Sequence, residues 1–313
     1  MRKRLLYAIV ACLTCFPLIT KGQYDPSFTH YWMMEPSFNP ASAGTTDNMR
    51  ILGTYSAQMS GYEDAPATMF AGVDLPMFFA NPRHGLGAQF MNDELGLFSH
   101  KRFSLQYAYH FRLFGGSLGF GIQGDLLNET YDGSKLDLEE TNDPVFSSSK
   151  IDGSKVDVDF GLYYQRGPFY LGVSGMHLTA PTVTLGETNQ ISLKRMYYLT
   201  GGYNIKLRNP FFTIHPTVFG MYDGVDWKAY LTGRLEYSND SKMLFCGGSY
   251  SPNNSVALFV GGKFHGVVLS YSYEAYTNGV GIEHGAHELV LSYEWKLDLY
   301  KKGKNLHKSV RLL

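Results

Sequence analysis

From Met49 onward the chain alternates apolar and polar residues with a period of two, segment after segment, and this pattern excludes most folds. Phe103, Leu105, Tyr107, Tyr109, Phe111 and Leu113 fall on one face of a strand, with Ser104, Gln106, Ala108, His110 and Arg112 on the other. The same alternation recurs in Leu118–Leu126, Val156–Tyr164, Tyr197–Leu207, Val267–Tyr273 and Leu289–Leu297. In a strand, successive side chains point to opposite faces. A run of about ten residues matches a bilayer-crossing strand, whereas strands of soluble domains are usually about five or six residues long. The pattern predicts about fourteen strands, at 49–60, 67–78, 85–94, 101–114, 116–130, 154–165, 168–179, 194–208, 211–222, 227–238, 242–251, 254–263, 266–276 and 286–298. An even count in this range is that of a transmembrane antiparallel β-barrel.

The connections agree. Gly115-Gly116, Arg166-Gly167-Pro168, Asn209-Pro210 and Asn239-Asp240-Ser241 are tight turns, while Tyr131–Gly153, Ala180–Leu193 and Asn278–Gly285 are longer. Short and long alternate as periplasmic turns and surface loops do, which puts both termini in the periplasm. Tyr (23), Phe (21) and Gly (34) are abundant while only 18% of residues are charged, as a lipid-facing barrel requires. A secreted array of β-sandwiches is the soluble alternative.

The N-terminus reads as a secretion signal over residues 1–22. Arg2, Lys3 and Arg4 precede an apolar stretch from Leu5 to Ile19, and Thr20 and Gly22 are small residues flanking cleavage before Gln23. Cys12-Leu13-Thr14 before Cys15 is a poor lipobox. Only Cys246 then remains, so no internal disulfide or multi-Cys zinc site can form. Its place in an alternating strand suggests a buried structural thiol. The domain plan is a leader, a periplasmic N-terminal segment at 23–48, a barrel at 49–298 and a basic periplasmic tail at 299–313. Lys301–Leu313 carries five basic side chains and no acid, so the body it follows is acidic.

Tyr24–Gly44 has neither helical nor strand period, and Pro26, Pro36 and Pro40 interrupt any regular element. Phe28, Tyr31, Trp32, Met33, Met34 and Phe38 make it too apolar for a free tail, so it must lie on something. It is either a lead-in that only packs or a plug or docking strap. Packing alone suffices physically, and the expected position is across the periplasmic mouth.

The blocks Asp25-Pro26-x-Phe28-Thr29-x-Tyr31 and Asn39-Pro40-Ala41-x-Ala43-Gly44 resemble the N-terminal signature of the PorP/SprF family, outer-membrane proteins of type IX secretion and gliding machinery. Asp159-Phe160-Gly161-Leu162-Tyr163-Tyr164, Tyr170-Leu171-Gly172-Val173-Ser174 with His177-Leu178, and Gly285-Ala286-His287-Glu288-Leu289 are similar to later family blocks. The resemblance covers nearly the whole mature chain. It departs at Met59, where many members have Trp, and at Glu274-Ala275, where Asp-Phe is more usual. The resemblance implies a non-catalytic role, anchoring periplasmic ring and motor parts to the outer membrane and supporting cargo export. It implies the PorK/PorN ring and the peptidoglycan-binding PorE as partners, with cargo or an adhesin as a further one. Outer-membrane lipid is the other partner; no cofactor and no nucleic acid are expected. The runner-up function is a passive porin or small-solute transporter, and a weaker third is a surface adhesin or receptor. The residues expected to meet partners are Tyr24, Asp25, Pro26, Phe28, Tyr31, Trp32, Phe38, Asn39 and Pro40 in the strap. In the tail they are Lys301, Lys302, Lys304, Lys308 and Arg311.

Other chemistry is weak. Glu283, His284, His287 and Glu288 make a tempting metal cluster, but His284 and His287, three apart, face opposite sides of a strand and converge only if a loop brings them together; a polar hairpin rim is the better reading. Asp132, Asp137, Glu139, Glu140 and Asp143 lack EF-hand spacing and read as a solvated surface loop. Ser104 and His110 share an inward face but lie about 20 Å apart at 3.3–3.4 Å per residue, too far for a nucleophile and its base. No phosphate loop or Gly-x-Ser-x-Gly is present, and an enzyme is not expected.

Overall fold

A computed structural model describes residues 25–62, 64–77, 83–135, 150–186, 189–239, 242–277 and 284–296. The strands are β1 (Met49–Ala57), β2 (Ala67–Met77), β3 (Arg83–Leu95), β4 (Phe98–Leu113), β5 (Gly116–Asp132), β6 (Lys150–Arg166), β7 (Phe169–Met176), β8 (Thr182–Leu185) and β9 (Asn189–Ser192). There follow β10 (Met196–Tyr203), β11 (Ile205–Lys206), β12 (Phe212–Tyr222), β13 (Trp227–Asn239), β14 (Lys242–Ser251), β15 (Ser255–Phe264), β16 (Val267–Tyr276) and β17 (Ala286–Trp295). β10 and β11 are two pieces of one stave, both paired with β12, and β8–β9 is a separate hairpin. The remainder is a closed 14-stranded antiparallel barrel, sealed where β1 pairs with β17 in the register Met49↔Trp295 to Ala57↔His287.

The alternation sorts side chains as expected. Leu105, Leu258 and Leu291 point outward, the first of them 71% exposed, while Ser104, Gln106, Ala108 and His110 are buried on the inner face. Tyr293 and Trp295 are exposed on the outer face, and the Tyr273 ring packs against outward-facing His287. An outward apolar band closed into a barrel leaves no unpaired edge and satisfies the backbone within lipid. No helix among the described residues is long and apolar enough to cross a membrane.

Several expectations are corrected. Cys246 is exposed on the outer face, because the inward place beside it is taken by buried Phe245. The supposed loop 131–153 is shorter than expected, since β5 runs on to Asp132 and β6 begins at Lys150. The 180–193 connection contains the β8–β9 hairpin, whose Val183 and Leu185 pack with Leu193 on Leu127 of the barrel's inner face. This hairpin folds inward at the long-loop end, close enough that a Cβ on Gly153 would lie 2.2 Å from the Thr184 carbonyl oxygen. The β3–β4 connection, also at that end, is only the tight turn Gly96-Leu97.

The largest correction concerns the N-terminal segment. It does not lie across the periplasmic mouth; residues 25–44 run down the inside of the barrel. Asp25 meets Arg102 and Tyr198, near the long-loop ends of their strands, and His177, just beyond the long-loop end of β7. Gly44 meets Asp74 near the short-turn end of β2, from which the chain enters β1. The inner faces of β3, β5 and β6 are lined partly by glycine and leave room that the segment fills.

Candidate functional site

The segment is built from three single 3-10 turns, Tyr31–Met33, Glu35–Ser37 and Pro40–Ser42. Pro36 and Pro40 stand at the starts of the second and third, where a missing N–H costs nothing. The Asn39 side chain accepts from the Ala41 N–H at 3.0 Å and donates to the Leu162 carbonyl at 3.0 Å, fixing the last turn to β6. Ala41 lies so close to β5 that a Cβ on Gly121 would fall 2.1 Å from its nitrogen; a Cβ on Gly85 would fall 2.0 Å from the Ala43 oxygen. Small residues in the segment therefore sit on glycines in the wall.

Backbone groups of a segment without regular structure must find partners when buried. Here wall side chains supply them. Gln89 Nε2 donates to the Pro36 carbonyl at 2.7 Å, with Gln106 donating to the same oxygen. Ser174 donates to the Phe38 carbonyl, and His110 Nε2 bonds the Ala43 carbonyl at 2.9 Å. The N–H groups of Thr29 and His30 both donate to Glu288 at 2.9 Å. The His30 ring spans from Glu288 (2.5 Å) to Ser270 (2.7 Å).

Near the long-loop end a charged cluster holds the start of the segment. Asp25 accepts from the Tyr198 hydroxyl at 2.5 Å, lies 3.2 Å from His177 Nε2 and is 3.7 Å from an Arg102 nitrogen. His177 Nδ1 bonds Asp157 at 2.7 Å, so each ring nitrogen faces a carboxylate, as an imidazolium does. Burial opposes charge on His177, which lies in the connection after β7. The carboxylates of Asp25 and Asp157 outweigh it and raise the ring to about 10.

In mid-barrel, Tyr31 stacks on Phe219 at 4.9 Å and Phe38 packs edge-on to the same ring at 4.8 Å. Of the residues expected to meet partners, Asp25, Phe28, Tyr31, Phe38, Asn39 and Pro40 are buried inside the barrel, where they hold the segment in place. Pro26 and Trp32 are half-buried. Tyr24, Lys301, Lys302, Lys304, Lys308 and Arg311 lie outside the described residues. Sequence reasoning missed His30, Glu35, Arg102 and Arg234. The available signal was charge at inward strand positions, or within an otherwise apolar strap.

Below the segment a cavity of about 270 Å³ lies at the short-turn end. Its lining includes Arg50 and Met243, each one residue into its strand, and Glu294, next to the end of β17. Trp32, Glu35 and Arg234 line it from within. The tempting histidine cluster is dispersed. His284 bonds the Ser60 carbonyl, His287 bonds Tyr271 on the outer face and Glu288 points inward to His30; Glu283 lies outside the described residues. No group of three or more metal-ligating side chains occurs among the described residues.

The family model for type IX secretion system membrane protein PorP/SprF matches residues 20–293. The chain belongs to the PorP/SprF family. It is therefore an outer-membrane β-barrel associated with the type IX secretion machinery. No curated protein matches it in sequence. Among solved structures, the Pseudomonas putida toluene transporter TodX is similar in fold, with a TM-score of 0.50 at 10% identity over 87% of this chain and 95% of that one. A Pseudomonas aeruginosa FadL homologue matches at a TM-score of 0.47 and 11% identity, over 82% of this chain and 93% of that one. Acinetobacter baumannii Omp33 matches at a TM-score of 0.44 and 6% identity, over 79% and 98%. For this PorP/SprF member the first of these likenesses supports the barrel fold alone.

Proposed function

We propose that this PorP/SprF protein is a non-enzymatic, non-conducting scaffold of type IX secretion. In this reading it anchors periplasmic ring and motor components, of the PorK/PorN and PorE kind, to the outer membrane and supports cargo export. The observation that carries the reading is the N-terminal segment itself. It fills the lumen from Asp25 to Gly44 and is hydrogen-bonded to the wall along its length. A solute pore needs a continuous polar path, and a segment with this many buried partners is not a loose plug. With the long-loop end narrowed by the β8–β9 hairpin, the short-turn face is left as the natural docking side. Contacts with partners fall to Trp32 at the cavity and to Lys301, Lys302, Lys304, Lys308 and Arg311 beyond the last strand.

Affinity isolation of the barrel from detergent-solubilised outer membrane tests this. Co-isolation of periplasmic ring components is expected, together with no ion conductance in planar bilayers. Steady conductance by the intact protein, without ring components, would favour the porin reading instead.

A further inference from the structure

We propose that the short-turn cavity binds a carboxylate side chain, Asp or Glu flanked by apolar residues, presented by a segment of a periplasmic partner. The partner's location rests on the scaffold reading above; the chemistry rests on the cavity.

Five acidic and basic side chains at the cavity decide the chemistry. Glu35 accepts from the Tyr163 hydroxyl at 3.0 Å, and Arg50 pairs with Asp74 at 2.9 Å. Glu236 lies 3.3 Å from the His215 ring, and Glu294 is paired with Lys263. Arg234 has no ion pair and no hydrogen bond among the described residues. Its guanidinium is held instead between rings, 5.5 Å from the centroid of Trp32 and 5.8 Å from that of Phe245. Glu236 and Glu35 exert an attractive field on it but stay outside ion-pair range, and both already have other partners.

A guanidinium always carries its charge and offers five donors in a planar fork suited to a carboxylate. Fixed between two aromatic faces, Arg234 keeps that fork oriented at little entropic cost to a ligand. The Nε atoms of Trp32 and Arg234 are also buried without an acceptor among the described residues, so the wall around them supplies no acceptor of its own. Leu52, Met243 and Val268 supply the apolar part of the wall. An acceptor on a short apolar stem satisfies both features. A Lys or Arg side chain would find Glu35, Glu236 and Glu294 already partnered and would meet Arg234 as a like charge, and an uncharged apolar side chain would leave Arg234 unpaired.

Trp32 provides the reporter. The other two tryptophans, Trp227 and Trp295, lie on the outer face and can be replaced by Phe, leaving one indole beside Arg234. The purified full-length protein in detergent is titrated with acetyl-Leu-Glu-Leu amide, with its Gln counterpart and with hexanoate. The Glu peptide is expected to shift Trp32 emission saturably and to bind at least ~10-fold more tightly than the Gln peptide, equivalent to about 1.4 kcal/mol. Arg234→Gln should abolish the response and Arg234→Lys should retain a weakened one. Equal binding of the Glu and Gln peptides, or binding of neither by the unsubstituted-Arg234 protein, would overturn the proposal without touching the scaffold reading. Hexanoate binding as tightly as the Glu peptide would overturn the peptide source and assign the cavity to small organic acids. Ring co-isolation measures the scaffold reading separately.

Discussion

His177 shows how much one side chain can hold. It sits between Asp25 on the N-terminal segment and Asp157 on β6, and so ties the two together. With its pKa raised from 6.5 to about 10, its contribution is fully present below about pH 6.5 and is lost as pH rises through 10. His177→Gln leaves two buried carboxylates short of a cation and should destabilise the protein by ~3–5 kcal/mol. In thermal unfolding from detergent, the gap between native protein and variant should be widest at pH 6 and should shrink towards pH 10; a gap independent of pH would refute a charged His177. Glycine at 121 is as specific. A Cβ there meets the Ala41 nitrogen at 2.1 Å, whereas one on Gly124, three places along on the outer face, meets nothing within 4 Å. Gly121→Val should push residues 25–44 off the wall and expose them to protease, while Gly124→Ala should leave the digestion pattern unchanged.

At the level of elements, the staves carry two different codes. Outward positions answer to lipid: Leu269 and Leu291 are cross-strand partners on the outer face of β16 and β17. An Arg at either position should cost ~2–4 kcal/mol at mid-membrane. A lowered temperature for loss of the folded, faster-migrating band on gels checks this, and unchanged heat stability of Leu291→Arg would argue against a lipid-facing β17. Cys246 belongs to the same surface, so an apolar maleimide should label it in membranes faster than a charged one does. Inward positions answer to the N-terminal segment. Gln89, Gln106, His110 and Ser174 stand where strand alternation places polar residues, and each bonds a carbonyl of that segment. They are polar because the guest backbone is polar, which strand periodicity cannot distinguish from facing water.

For the whole molecule, whether residues 25–44 close the lumen decides between the proposed scaffold and a channel. Removing residues 25–44 while keeping the leader should convert a silent barrel into a conducting one, provided the protein still reaches the membrane. If single-channel recordings of inserted variant remain silent, inward side chains of the staves close the lumen without help. We propose that the basic stretch Lys301–Leu313 serves docking, with Lys and Arg steering encounter. Its deletion should leave the barrel inserted and heat-stable but abolish ring co-isolation and cargo secretion; normal secretion at normal barrel levels would remove it from the docking surface.

What the sequence determined by itself was the barrel. Fourteen alternating runs, tight turns at Gly115-Gly116 and Gly167, and a lipid-ready outer face all follow from period-two patterning, because that pattern is local and reads directly as two faces. The N-terminal blocks also carried the family, yet not their own purpose. Tertiary structure alone decided that Asn39-Pro40-Ala41 lies against Gly121 and Gly161, that His30 and Glu288 meet across 258 positions, and that Arg234 is left between two rings without a carboxylate. Each depends on how wide the closed barrel is and how far its inward side chains reach. Those quantities are fixed only when β1 meets β17, and no local pattern in the chain encodes them.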